Sequence, residues 1–394
     1  MIVRRARSGR AVARLREAAG SPEDVERILQ EQPVPIVEGT LSTFVWRGEA
    51  DAVAVEHRIV GLQEPLPLRR IRNSDVWFAT VELPPGSRVE YRMLLRYGDH
   101  IENVLDPRNP RQVSDPSTTK SVLEAGGYAT PDWALPDPDV VPGELIETRV
   151  ASKHLGRDVR LTLYLPMRMR RHDRLPVVVM HDGSDFIRYG GVTTVLDNLM
   201  HRRLMADAVV ALLHAGDRFV EYTGNPAHAR FLTAELIPQL ERSLPLRGDP
   251  HGRILAGASL GAIAALSAAA RAPGFYGGLL LQSGTFIYSS VGRGSGAPPP
   301  WWPPAGAPAL ERVLRFVNKL RADPAFLCDR IFHSLGAFEP SADRNRAMAA
   351  TLRAMAASYR MEEGLDGHNW ISWRDCLHDG FAWLLPGDAR SIYP

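Results

Sequence analysis

Hydrophobic and polar positions fall into three successive textures along this chain. Residues 21–31 read S-P-E-D-V-E-R-I-L-Q-E. Ser21 is a capping residue and Pro22 suits a first helical position. Glu23 and Asp24 lie where the helix dipole favours negative charge. A helix is predicted over about 22–31. From about residue 38 the texture changes to short runs rich in β-branched and aromatic residues, at 43–46, 52–57, 76–83 and 89–95. Turn signals such as Pro84-Pro85-Gly86 and Tyr97-Gly98-Asp99 separate them, so an all-β segment of sandwich type is expected. Residues 129–143, with four prolines and little periodicity, read as a linker or surface strap.

Beyond the linker, strands and helices alternate. Strands are predicted at 159–165, 175–181, 208–214, 254–256, 278–282 and 330–335, and helices at 191–203, 228–244, 310–322 and 344–359. Such alternation implies a doubly wound, mostly parallel sheet covered on both faces. The expected organisation is a helical N-terminal segment over 1–37, a sandwich over 38–128, the linker at 129–143 and an α/β domain over 144–394. The stretch 288–308 is rich in Gly and Pro and reads as an irregular loop. It would offer Trp301 and Trp302 as aromatic walls if it overhangs a site.

Composition narrows the function. A chain of 394 residues with 45% hydrophobic and 23% charged residues can bury a sizeable core. A formal net charge of +2 argues against a dedicated nucleic-acid binder. The two cysteines, Cys328 and Cys376, have no metal-type spacing, so neither a zinc site nor a disulfide framework is expected. No apolar run reaches signal-peptide or membrane-spanning length, and a cytoplasmic location is expected. The six arginines between Arg4 and Arg16 read as a solvated helix face or frayed terminus.

The chemistry centres on G-A-S-L-G at 257–261, between a predicted strand and an Ala-rich predicted helix. A G-x-S-x-G motif in that setting turns the chain sharply and presents the serine hydroxyl at the strand's carboxyl end. Ser259 is therefore the candidate nucleophile. It needs a base. His368, in the loop sequence E-G-L-D-G-H-N-W, follows the last predicted unit, as the order serine, acid, histidine requires. His333, His251 and His378 are weaker candidates. The acid belongs after the strand at 330–335, where Glu339 is the first choice and Asp343 the second; Asp366 lies awkwardly close to His368. The oxyanion hole is expected from the backbone N–H of Leu260 and that of Gly183 or Ser184, in H-D-G-S-D-F. Asp182 would orient that loop or touch substrate.

With these residues in place, the chain resembles the enterochelin esterase family. H-D-G-S-D-F, G-D-R-F-V-E-Y-T-G-N-P, L-A-G-A-S-L-G-A, L-Q-S-G-T-F, S-L-G-A-F-E and G-H-N-W-I-S-W-R carry the resemblance. It implies an α/β-hydrolase with Ser259, His368 and Glu339 as its triad. It brings Arg218 and Glu221 near the site, either with Arg218 binding substrate oxygens or as an Arg218–Glu221 ion pair that shapes the loop. D-V-W-F-A-T-V-E-L-P-P-G-S-R-V-E-Y-R-M resembles the family's immunoglobulin-like N-terminal domain, which helps cover the substrate. Ala262 and Asn369 depart from the family's usual Gly and Asp. The resemblance implies an esterase without metal or cofactor, acting on a catecholate siderophore trilactone and so serving iron acquisition. The expected partner is a small-molecule ester, with a ferric siderophore as the favoured case. Sugar-acetate, feruloyl or short-acyl ester hydrolysis and acyl transfer are the alternatives. Oligomeric state is left open.

Overall fold

The computed structural model describes residues 3–170, 172–288 and 307–387. Trp301, Trp302 and most of the 288–308 loop lie outside them. The chain folds as two compact units. The first comprises the residues up to Ala129 together with Gly336–Pro340 and Gly364–Asn369; the second holds the remainder.

The first unit is an antiparallel sandwich. One sheet orders Arg4–Arg5, Val76–Glu82, Leu41–Arg47 and Ile36–Glu38, with Arg69–Arg70 also on Val76–Glu82. The other orders Gln112–Ser114, Thr119–Glu124, Arg88–Tyr97, Ala52–Glu56 and Leu66–Pro67, with His100–Val104 also on Arg88–Tyr97. Period-two alternation selects the buried face. Along Arg88–Tyr97, Val89, Tyr91, Met93 and Leu95 are all buried in the core with Phe44, Val53, Val55 and Trp77. Phe338, far along the chain, joins the same core.

Residues 1–37, expected as a separate segment, are built into this unit. Strand Arg4–Arg5 pairs with Val76–Glu82. The helices Arg10–Glu17 and Pro22–Glu31 bury Val12, Leu15, Val25 and Ile28 against Val45, Val76 and Phe78. Ser21 caps the second helix by accepting from the Asp24 N–H at 3.2 Å. Arg14, in the basic start, pairs with Glu31 at 2.8 Å on the surface.

The second unit is an eight-stranded sheet. Its order is Glu144–Ser152, Arg157–Leu165, Val209–Leu213, Val177–Met180, Arg253–Ala258, Gly278–Gln282, Cys328–Gly336 and Ala356–Gly364. Pairing is parallel from Val209–Leu213 through Cys328–Gly336 and antiparallel at the first two junctions. Every residue of Val177–Met180, Val209–Leu213 and Gly278–Gln282 is buried, as strands covered on both faces must be. The helix Leu260–Arg271 is buried from Leu260 to Ala269, so its all-round apolar sequence is a core helix.

Two local expectations are corrected. The predicted helix 344–359 stops at Ala354, and Ala356–Gly364 forms an edge strand. The predicted helix 228–244 is split into Pro226–Arg230, a π-helical turn Phe231–Leu236 and Ile237–Ser243. Pro238 has no N–H to give to the carbonyl four residues back, which breaks the α pattern there. The strap at 129–143 contains a short 3₁₀ turn, Asp132–Ala134. It is fastened by Asn198, whose Nδ2 donates to the carbonyls of Trp133 and Leu135.

Candidate active site

Ser259 sits between strand Arg253–Ala258 and helix Leu260–Arg271 at φ +57°, ψ −117°. Such a backbone is strained for an L residue and is held only by its surroundings. Gly257 explains part of that hold. A Cβ there would lie 2.4 Å from the backbone carbon of Gly261, so strand and helix approach this closely only through a glycine. The hydroxyl of Ser259 is hydrogen-bonded to that of Thr285 at 3.2 Å, and the Thr285 N–H donates to the Ser259 carbonyl at 3.2 Å. Thr285 lies in L-Q-S-G-T-F, just past strand Gly278–Gln282, and sequence reasoning gave it no role.

The loop after Val177–Met180 supplies the second wall. Asp182 has φ +58°, and Gly183 opens a short helix, Gly183–Arg188. Leu260 likewise opens its helix. The N–H groups of a helix's first turn have no intrahelical acceptor, so both residues present donors of the kind an oxyanion hole needs. A Cβ on Gly183 would meet the backbone of Leu212 at 2.3 Å, which fixes glycine at this turn. Ser184 is exposed.

The ion pairs around this loop bear on one of the two alternatives for Arg218. Arg218 does not pair with Glu221. Its Nη2 donates to Asp182 Oδ2 at 2.9 Å, and its Nε lies 2.7 Å from Oδ1 in the same ion pair. Burial works against the Arg218 charge and the Asp182 carboxylate more than offsets it, so its pKa lies above the ordinary value. Asp182, almost fully buried, is thus paired with Arg218. Glu221 is gripped by Arg157, with Nε to Oε1 at 2.8 Å and Nη2 to Oε2 at 2.7 Å.

Beneath the loop lies a buried histidine pair that sequence reasoning missed. His181 Nδ1 is 2.9 Å from the Ala256 carbonyl, and its Nε2 is 3.0 Å from His228 Nε2. The carbonyl only accepts, so His181 donates from Nδ1 and its Nε2 accepts from His228. Burial drives both imidazoles towards neutrality: His181 is lowered to about 4, and His228 lies well below its usual value.

His368 and Glu339, the candidate base and acid, fall in the first unit. His368 Nδ1 is 3.1 Å from Glu339 Oε2, and Glu339 is fully buried. The carboxylate accepts, so the proton sits on Nδ1 and Nε2 is the basic nitrogen. Asp343 instead lies exposed in the first turn of helix Ala342–Ala354, paired with Arg346 at 3.0 Å. The other candidate histidines are occupied elsewhere. His333 is buried between Tyr359 and Asn345, at 3.0 Å from each. His251 pairs with Asp329 on the surface, and His378 stacks on Trp133. His368 lines a cavity of about 490 Å3 within the first unit, whose wall includes Arg58, Arg88, Arg92, Asp115 and Lys120. Among the described residues, no cluster of three or more His, Cys, Asp or Glu is arranged to hold a metal ion. None of their helices is long and apolar enough to cross a membrane.

A parallel sheet with a strained serine at a strand-to-helix turn defines the class: this is an α/β-hydrolase fold carrying ester-hydrolase architecture. A family model described as putative esterase matches residues 152–384. The chain belongs to that esterase family, in the company of the enterochelin esterases. It is 26% identical over 343 residues to the iron(III) enterobactin esterase of Escherichia coli O6:H1, covering 80% of this chain and 81% of that one. It is 26% identical over 390 residues to the iron(III) salmochelin esterase of the same strain, covering 88% and 87%. Among solved structures, the enterobactin esterase of Shigella flexneri crystallised in the presence of enterobactin superposes with TM-score 0.70. That match has 23% identity and covers 93% of this chain and 98% of that one. A ferulic acid esterase matches at TM-score 0.51 and 19% identity, covering 63% of this chain and 99% of its own.

Proposed function

We propose that this enzyme hydrolyses the ester bonds of a catecholate siderophore trilactone, with Ser259 as nucleophile, His368 as general base and Glu339 as its acid. The observation that carries the reading is the strained Ser259 turn, which sets a serine at the strand-to-helix junction where a nucleophile is presented. In this mechanism Ser259 Oγ attacks the ester carbonyl while Nε2 of His368 takes its proton. Glu339 holds the Nδ1–H and stabilises the imidazolium. The developing oxyanion is met by the N–H groups of Leu260 and Gly183, or that of Ser184. His368 then protonates the leaving alcohol and, in the second half, activates water to release the acyl group.

One feature supports a siderophore over a simpler ester. The relatives that cover most of this chain are named for enterobactin and salmochelin, whereas the ferulic acid esterase covers less of it. The reaction is assigned to the cytoplasm.

The test is a turnover panel of iron-loaded and iron-free enterobactin and salmochelin, acetylated sugars and feruloyl esters, with Ser259→Ala as the blank. The trilactones are expected to have the highest kcat/KM, and Ser259→Ala to lose turnover on every ester. Preference for acyl sugars or feruloyl esters would overturn the substrate, and full activity of Ser259→Ala would overturn the mechanism.

A further inference from the structure

We propose that Arg88, a residue of the sandwich, is a positioning residue for catalysis: its guanidinium clamps the loop that carries His368. The proposal rests on the reading of His368 as general base.

The strand Arg88–Tyr97 alternates, with Val89, Tyr91, Met93 and Leu95 facing the core and Arg88, Glu90 and Arg92 on the other face. An arginine on that face belongs in water, yet Arg88 is 3% exposed. The segment Gly364–Asn369 covers it. Arg88 Nη1 donates to Asp366 Oδ2 at 3.0 Å and to Asn369 Oδ1 at 3.3 Å, and both Nη atoms donate to Glu90 Oε1 at 3.1 and 3.2 Å. Asp366 Oδ1 accepts from the Gly367 N–H at 2.6 Å and from Asn369 Nδ2 at 2.8 Å. The Arg88 N–H donates to the Leu365 carbonyl at 2.9 Å. One arginine therefore fixes the loop on both sides of His368, two residues before it and one after. The companion segment is tied to the same loop, since Phe338 N–H donates to the Asp366 carbonyl at 3.0 Å and Ala337 N–H to that of Gly364 at 2.7 Å. Glu339 follows directly.

Burying a guanidinium with two carboxylates is a poor way to gain stability, because desolvation offsets much of the attraction. What the cluster does provide is geometry. A planar fork addresses Asp366, Asn369 and Glu90 together, which a lysine ammonium on a flexible stem does not reproduce. The groups facing Asp366 are Arg88 and Glu90, with Lys120 behind Glu90 at 3.0 Å. Burial raises Asp366 to about 6, Glu90 pushes the same way, and Arg88 pulls against both. Removing Arg88 therefore raises Asp366 further, so the carboxylate that ties the loop becomes protonated at higher pH.

The test uses the full-length enzyme, with a 4-nitrophenyl ester for kinetics and a fluorophosphonate to report Ser259 reactivity. Arg88→Gln is expected to lower kcat about 100-fold, the scale of a misplacement near 1 Å. KM should change little, labelling should slow in parallel, and the acidic limb of the pH profile should move to higher pH. Arg88→Lys should restore part of kcat. If Arg88→Gln does not fold, Asn369→Ala removes one arm of the clamp without removing charge and should lower kcat at unchanged KM. A folded Arg88→Gln or Asn369→Ala with wild-type kcat and pH profile overturns the clamp. His368→Ala separates the two layers. Retained turnover there means that the base is wrong, whereas abolished turnover beside a fully active Arg88→Gln means that only the positioning role is wrong.

Discussion

At the residue scale, the site is built from positions where ordinary side chains do not fit. Ser259 holds a backbone that costs on the order of 1–3 kcal/mol, and tight packing around it keeps that strain in place. Gly257→Ala would force a methyl group against the Gly261 backbone, which cannot rotate away. A loss of about 1–3 kcal/mol is expected, seen as a lower denaturation midpoint at unchanged slope. At Gly261 the added carbon would sit 3.1 Å from His181 Cβ and 3.2 Å from Asp182 Oδ2, contacts that side chains can partly relieve. Gly261→Ala should cost less stability and lower kcat, because it pushes on the residues beside Gly183. The His181–His228 pair makes a pH prediction. His181 is neutral in the fold down to about pH 4, whereas in the unfolded chain it titrates near its ordinary value of 6.5. Between these values the unfolded state binds more protons, so stability present above pH 6.5 is lost as pH falls towards 4. Thermal midpoints across that window should drop less for His181→Asn, whose amide keeps the donor to Ala256 without the titration. Parallel curves for variant and wild type would contradict this.

At the element scale, legibility follows burial. The helix Pro22–Glu31 was readable from its end signals, and Ser21 does cap it. Ser21→Ala should therefore weaken this helix by about 1 kcal/mol, read as faster amide hydrogen exchange between Pro22 and Glu31. The central strands were readable because both their faces are covered and their sequences are continuous apolar runs. Both edges of the large sheet escaped notice for the converse reason. Glu144–Ser152 and Ala356–Gly364 are largely exposed or half-buried, and their mixed sequences, E-L-I-E-T-R-V-A-S and A-A-S-Y-R-M-E-E-G, carry no such run. Ala-rich text before the second edge extended the predicted helix into it. Ser259 and the Asp182–Gly183 turn announce themselves through local motifs. Partnerships do not: Arg88 and Asp366 are 278 positions apart, and nothing near either one in sequence names the other.

At the scale of the whole molecule, the unit that holds the sandwich is discontinuous in sequence. Strand Cys328–Gly336 belongs to the large sheet, yet the five residues Gly336–Pro340 pack with the first unit, and so does Gly364–Asn369 after strand Ala356–Gly364. These two returns carry Glu339 and His368. Phe338 is their apolar anchor, 3% exposed among Phe44, Trp77, Tyr91 and Leu123. The Val60 N–H donates to its carbonyl at 2.9 Å, so the backbone at this point is tied to the sandwich as well. The sandwich should therefore depend on a side chain more than two hundred residues beyond its last strand, Thr119–Glu124. Emptying that position leaves a cavity in a small core, and Phe338→Ala should cost about 3–5 kcal/mol. The loss should be regional. Amides in Val76–Glu82 and Arg88–Tyr97 should exchange faster, while those in Val209–Leu213 and Val177–Met180 keep their protection. Turnover should fall at the same time, because the residue that loses its anchor immediately precedes Glu339. Uniform loss of protection across both sheets, or normal exchange in the sandwich, would show that Phe338 is not the anchor.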